Sequence, residues 1–432
     1  MNDERSATPE ETAATPTQRP ALRRARPLLL EIFWTSLLLG AVGFGGGISV
    51  LAFMHDLLVL RRRWLTEREF VTTATVAQML PGGAAANALA YTGLRFFGPG
   101  GAVVAYGGFI APGAALVTAL AALYVRLGVT PQLDTVFAGF NAAVVGIVAS
   151  LTLQMARTAI GRPWQMIVAA VALLLALGGG AAAGEVAALG IGVGLVVDLG
   201  IKRFRLARFR RRGQARPPPV ALPDEGAPLR RSSEGEPSPQ NRPGGGAAAL
   251  FSLGGPASMG ALAATALVFV RTGLGAYGGG FAIIPTLQAA VLGKGWITAR
   301  QFADAVAIGK LTPGPVLLMA TFIGYLLHGP LGALVATLAI FAGPLALVVT
   351  VGGWLARVRS RRPIRAALRG LTPAVVGLMT AAALTLGQSL QGPVELAIAA
   401  ATLLTLARFK VNPVWIMLAG GAARFGLRLA GI

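Results

Sequence analysis

Three long stretches of the chain, 100–125, 135–156 and 330–356, carry no charged residue at all. No polar face recurs along them at helical spacing, so a helix built from any of them is apolar all round and long enough to cross a bilayer. Segments 66–80 and 84–97 are each short for a full span and meet at Pro81-Gly82-Gly83. That pattern predicts a helical hairpin that enters and leaves on the cytoplasmic side. Segments 100–125, 135–156, 163–178 and 184–201 then cross four times. Residues 28–60 are expected to form one long span broken at Gly45-Gly46-Gly47. The competing arrangement, a hairpin, puts Arg19, Arg23, Arg24 and Arg26 inside but leaves the two halves with different parity.

The pattern then repeats. Phe44-Gly45-Gly46-Gly47 returns as Tyr277-Gly278-Gly279-Gly280, and Trp64-Leu65-Thr66 as Trp296-Ile297-Thr298. Leu80-Pro81-Gly82-Gly83 returns as Thr312-Pro313-Gly314-Pro315, Pro112 as Pro344, and Ala143-Val144-Val145-Gly146 as Ala374-Val375-Val376-Gly377. The spacing between matching residues stays between 231 and 233 (Ala143 to Ala374, Phe44 to Tyr277). Two copies of one unit lie end to end, which in an apolar chain suggests a transporter made of structural repeats.

Charge orients the copies. Of the 432 residues 38 are Lys or Arg and 17 Asp or Glu, a formal net charge of +21. The positives collect in short loops beside apolar segments, as Arg61-Arg62-Arg63, Lys202 to Arg216 and Arg357 to Arg369. This is the positive-inside distribution, and it argues against a nucleic-acid surface. Equivalent loops of the two halves carry opposite charge bias, so the expected fold is an all-α polytopic membrane protein of two inverted repeats with broken helices and re-entrant hairpins. Its expected organisation is a disordered tail (1–27), a repeat (28–201), a basic then Pro/Gly/Ser-rich cytoplasmic linker (202–256) and a second repeat (257–432).

Chemistry is expected where the helices break. Three consecutive glycines in a helix cost about 1 kcal/mol each relative to alanine and free the backbone to unwind. Phe44, Gly45, Gly46 and Gly47 with Tyr277, Gly278, Gly279 and Gly280 are therefore candidate site residues, tight helix packing being the bland alternative. Pro81, Gly82 and Gly83 with Thr312, Pro313, Gly314 and Pro315 end one helix and start the next. The first N–H groups of the new helix point at the tip, and two such tips facing each other make an anion site. Gln78 and Lys310 occupy equivalent places before the turns. A lysine inside a membrane segment is a candidate for drawing in an anion or coupling proton movement, or else it snorkels to an interface. Asn87, Tyr91 and Tyr325 follow the turns, with interhelical packing the plainer role for each. Asp304 and Glu69 are weaker proton-carrier candidates, expected to face the interface. Asp198 is expected to pair with Lys202 or Arg203, and Trp64 and Trp296 to anchor at the membrane surface. The sequence has no cysteine, no nucleotide-binding motif, no nucleophile constellation and no metal-ligand spacing. A non-enzymatic protein without cofactor or metal is expected.

These motifs together resemble the chromate ion transporter family. The resemblance rests on Gly43 to Gly47, Ala77-Gln78 with Pro81-Gly82, Tyr91-Thr92-Gly93, Tyr277 to Pro285, Trp296-Ile297-Thr298, Ala307-Ile308-Gly309, Thr312 to Pro315 and Gly324-Tyr325. It covers both halves but neither tail nor linker. It implies an inner-membrane protein that exports chromate, with protons as the coupling ion, and it places function at the glycine triplets and Pro-Gly turns. Two positions depart from the pattern: Gly83 stands where the family has a second proline, and Lys310 where glutamine is expected. The expected partners are a small oxyanion, membrane lipid and protons, and no nucleic acid. Sulfate in place of chromate and a passive anion channel are the rival readings, and the oligomeric state is open, a homodimer included.

Overall fold

The structure, a computed structural model, describes residues 27–43, 47–128, 130–178, 183–212, 259–277, 282–358, 361–390, 392–409 and 411–430. In the first half these form α1 (Leu29–Val42), α2 (Gly47–His55, continued by a π-helical turn Asp56–Arg61), α3 (Glu67–Met79), α4 (Ala84–Leu127), α5 (Pro131–Ala159), α6 (Pro163–Leu177) and α7 (Ala183–Arg212). In the second they form α8 (Met259–Leu274), α9 (Ile284–Leu292), α10 (Ala299–Leu311), α11 (Met319–Val358), α12 (Arg362–Gly387), α13 (Pro393–Arg408) and α14 (Pro413–Leu429). The protein is an all-α polytopic membrane protein. Ala84–Leu127, Gln132–Ala159, Val316–Val358 and Arg362–Gly387 are long and apolar enough to cross a membrane. Leu331, Leu334 and Leu338 line one outward face of α11, more than half exposed, as a helix against lipid requires.

Local chemistry fixes the same boundaries in both copies. Thr66 and Thr298 each cap a helix, their hydroxyls accepting from Glu69 N and Gln301 N, while the Glu69 and Gln301 side chains reach back to the cap N–H. These reciprocal caps satisfy donors that a helix start otherwise leaves open. α4 reverses sharply about a third of the way along, and α11 about a quarter. Phe97 and Gly98 leave helical geometry in α4 (Gly98 φ 63°, ψ −155°), and His328 and Gly329 do so in α11 (φ 63°, ψ −151°). Each is thus two antiparallel limbs, and Gly93 packs on Gly101 as Gly324 packs on Gly332. The predicted pair 66–80 and 84–97 is α3 with the first limb of α4.

Across the halves the contacts come in matching pairs. α5 packs against α13 and α14, and its counterpart α12 packs against α6 and α7. Small residues let the backbones approach. Gly139 of α5 lies on Gly420 and Gly421 of α14, as Gly370 of α12 lies on Gly190 and Gly194 of α7. Gly146 meets Ala399, and Gly377 meets Ala169. Gly82, in the turn before α4, sits beside Pro344, and Tyr91 on its first limb beside Gly352, so this limb runs parallel to the second limb of α11. The exchanged pair behaves alike: Pro313 meets Gly113, and Phe322 stacks edge-on with Tyr124.

Several expectations shift. Asp198 accepts from Arg362 Nε of α12 at 3.2 Å, while the side chains of Lys202 and Arg203 lie outside the described residues. Trp64 is buried within the protein beneath the Arg62 guanidinium and so does not anchor at the membrane surface. α7 continues to Arg212, past the sequence boundary at 201; 213–258 lies outside the described residues.

Candidate functional site

The two Pro-Gly turns meet. Gly82 and Gly314 hold φ of +110° and +112°, a conformation that glycine adopts without strain, and they reverse the chain between α3 and α4 and between α10 and α11. Gly83 and Pro315, the N-caps of the outgoing helical segments, face each other: a Cβ on Gly83 would lie 3.0 Å from Pro315 Cβ. No side chain caps either start. Hydrogen bonding within α4 begins with Asn87 N to Gly83 O, and in the second half Leu318 N bonds Pro315 O. The amides of the first turn therefore point out of the helix ends, and two partially positive helix starts converge on one place.

Each turn is also fastened to the other half's glycine break. Gly82 N donates to Ala276 O at 2.8 Å, and Gly314 N donates to Gly43 O at 3.3 Å. Gly43 is where α1 stops, with α2 resuming at Gly47; Ala276 follows the end of α8, before α9 starts at Ile284. Phe44, Gly45 and Gly46, and Gly278, Gly279 and Gly280, lie outside the described residues. Gly47 opens α2, and Tyr277, half-buried, donates its N–H to Gly275 O. The sequence-derived turn residues are thus brought together at the edges of both glycine breaks.

The polar candidates divide. Asn87 is fully buried, and its amide donates to Ala77 O, Leu80 O and Pro81 O at 3.2, 3.4 and 2.9 Å. It clasps the end of α3 to the start of α4, a role that uses its donors on backbone. Thr312, the C-cap of α10, serves only its own helix, its hydroxyl donating to Ile308 O one turn back at 3.0 Å. Gln78 is exposed on α3, and Lys310 is half-buried in the last turn of α10, where a cation also suits the helix dipole. Tyr91 is buried and Tyr325 partly so. His55 bonds Glu67 and His328 bonds Thr265. Among the described residues no cluster of His, Asp or Glu could hold a metal ion.

One group reads differently from the sequence expectation. Asp304 does not face an interface: it is 1% exposed, accepting from Tyr124 Oη of α4 at 2.9 Å and from Asn141 Nδ2 of α5 at 3.0 Å. Arg300, one turn earlier, pairs with Asp134 of α5. Glu69 pairs with Arg95 at 2.8 Å. The available signal was three polar residues set in apolar surroundings: Asp304 between alanines, Asn141 in an uncharged run, and Tyr124 near the end of another.

Known proteins bear on this arrangement. The Chromate transporter family profile matches residues 30–197 and 263–425, the two halves without the intervening segment. A probable chromate transport protein of Synechococcus elongatus is 31% identical over 81% of this chain and 82% of its own length. Chromate transport proteins of Cupriavidus metallidurans and Pseudomonas aeruginosa are 29% and 28% identical, over 97% and 91% of this chain and 96% and 91% of their own. No solved structure matches. With both halves matched and the breaks of both halves meeting at one junction, this chain belongs to the chromate transporter family.

Proposed function

We propose that the protein is a secondary transporter that exports chromate across the inner membrane in exchange for protons, by alternating access at the junction of the two turns, and catalyses no reaction. The observation that carries this reading is the pair of uncapped helix starts at Gly83 and Pro315. A tetrahedral dianion leaving water needs several N–H donors at once, and convergent helix starts offer them with only partial positive charge. Lys310 adds one cation two residues before the turn, enough to attract the anion. The relatives named for chromate transport favour that oxyanion over sulfate.

Alternating access here follows from the halves being inverted repeats. In support, the first limb of α4 runs parallel to the second limb of α11 and antiparallel to its own second limb. The equivalent second limbs therefore run in opposite directions. Rocking one half against the other opens such a junction to either side in turn. Purified protein in liposomes tests the reading, with chromate, sulfate and molybdate flux followed at several pH values. Saturable chromate counterflow driven by a pH gradient is expected, with Lys310→Ala lowering it by about tenfold or more, the loss of one charge-assisted contact. Flux that rises linearly with concentration would instead mean a passive pore.

A further inference from the structure

We propose that Asp304 is the proton-carrying group of transport, and that its protonation changes how the second hairpin is fastened to the first half. This rests on the reading of the protein as a proton-coupled oxyanion transporter. A carboxylate 1% exposed within a membrane protein is expensive, and the default expectation for such a group is function. Both of its hydrogen-bond donors, Tyr124 and Asn141, are neutral. An ion pair would lock the charge in place; neutral donors hold a carboxylate while letting it take up a proton.

Asn141 suits both states. Its Nδ2 serves the carboxylate, while its Oδ1 is buried with no hydrogen-bond partner. Turned over, the amide presents that oxygen to a carboxylic O–H. Of the charged groups nearby, Arg300 on α10 pairs with Asp134 on α5, and Lys310 stands at the far end of the same helix. On α14, which also packs on α10, Arg428 donates to the neutral hydroxyl of Thr135 while Arg424 pairs with Glu395. α9 has no ionisable residue, and on α11 His328 bonds Thr265 while Phe322 lies against the Tyr124 ring. Proton uptake thus changes the charge of this node by one unit at Asp304. Position gives that change a consequence. Asp304 sits on α10, the helix that carries Lys310 in its last turn and leads into the second Pro-Gly turn, and Tyr124 sits on the limb of α4 whose Gly113 packs against Pro313. Hydrogen bonds across this contact join the same two bodies that alternating access must move.

The test compares two fluxes in liposomes: oxyanion–oxyanion exchange, and accumulation driven by a pH gradient. If the wild type carries no oxyanion, the transport reading itself fails and this proposal with it. If it exchanges oxyanions but ignores the pH gradient, the proposal is overturned while oxyanion transport stands. Where the wild type is proton-driven, Asp304→Asn is expected to keep exchange and to lose gradient-driven accumulation, because an amide there cannot take up and release the proton. A variant that keeps both fluxes, or a well-folded variant that loses both, overturns the proposal. Should Asp304→Asn fail to fold, Tyr124→Phe decides. Removing a donor to the charged form is expected to move the pH midpoint of driven flux up by about one unit with exchange intact. An unmoved midpoint overturns the proposal.

Discussion

At position 72 the first hairpin carries a threonine whose hydroxyl bonds Arg68 O of its own helix; at the matching position 304 the second carries a buried aspartate held by the opposite half. The places of Tyr124 and Asn141 are taken in the other copy by Leu355 and by Thr372, whose hydroxyl bonds Leu368 O. Where Arg300 pairs with Asp134, the counterparts Arg68 and Arg365 are both exposed cations. Backbone features, by contrast, are shared: the φ of +110° and +112° at the turns, +63° at both limb reversals, and the turn-to-break hydrogen bonds in both directions. The copies keep the geometry that only glycine and proline can supply, and they divide the ionisable chemistry between them. A second buried carboxylate at the matching place would add its own desolvation cost, and on the proposed reading one such group per junction suffices.

The largest expected difference between the hairpins lies at the turn glycines themselves. A Cβ on Gly82 would come 2.8 Å from Pro344 Cβ and 3.0 Å from Asn87 Oδ1, both held in packed surroundings, whereas on Gly314 it would meet only the end of the Leu318 side chain at 3.0 Å. Both substitutions to alanine carry the backbone strain of a positive φ, about 1–3 kcal/mol. Gly82→Ala adds overpacking of about 1–3 kcal/mol that Gly314→Ala escapes when Leu318 changes rotamer. Thermal unfolding of the purified protein in detergent is expected to rank Gly82→Ala well below Gly314→Ala. Equal losses would mean that the second turn is as tightly enclosed as the first.

A smaller difference is expected between the polar side chains beside the two turns. Asn87→Ala removes the donors to three carbonyls at the end of α3, an expected loss of about 1–3 kcal/mol. Thr312→Val leaves Ile308 O still bonded by Thr312 N at 3.1 Å, so about 0.5–1 kcal/mol is expected. The same unfolding measurement separates them, and a Thr312→Val effect as large as that of Asn87→Ala would show the hydroxyl doing more than capping.

The architecture of the junction was legible in the sequence because glycine and proline act through local sterics and missing donors, which no distant residue alters. Pro81-Gly82 and Pro313-Gly314 announce a reversal wherever they stand, and the constant spacing announces that there are two. Asp304 was not legible as a buried group. Its partners lie 180 and 163 residues away in the other half, and whether a carboxylate faces lipid headgroups or a tyrosine is set by how the halves pack. Asn87 took the plainer of its two expected roles. A polar residue just after the turn looks like a ligand for the site, but its short amide reaches back to the carbonyls left open where α3 ends, and those carbonyls needed a donor first. Trp64 did mislead: an indole beside arginines suits a membrane surface as well as it suits a guanidinium packed over its ring inside the fold.

The smallest expected difference is none, and it is the most exacting check on the claim that the halves share their backbone. Gly98 and Gly329 have the same φ of 63° and ψ of −155° and −151°, a region open to glycine and closed to residues with a Cβ. A Cβ at either would meet nothing within 4 Å. Alanine there can act only through the backbone, so Gly98→Ala and Gly329→Ala should each cost about 1–3 kcal/mol and match each other within error. The neighbouring side chains differ, Phe97 in one copy and His328, bonded to Thr265, in the other. Unequal costs would therefore trace to that bond, and would mean that side-chain divergence has reached the limb reversals as well as the hairpin helices.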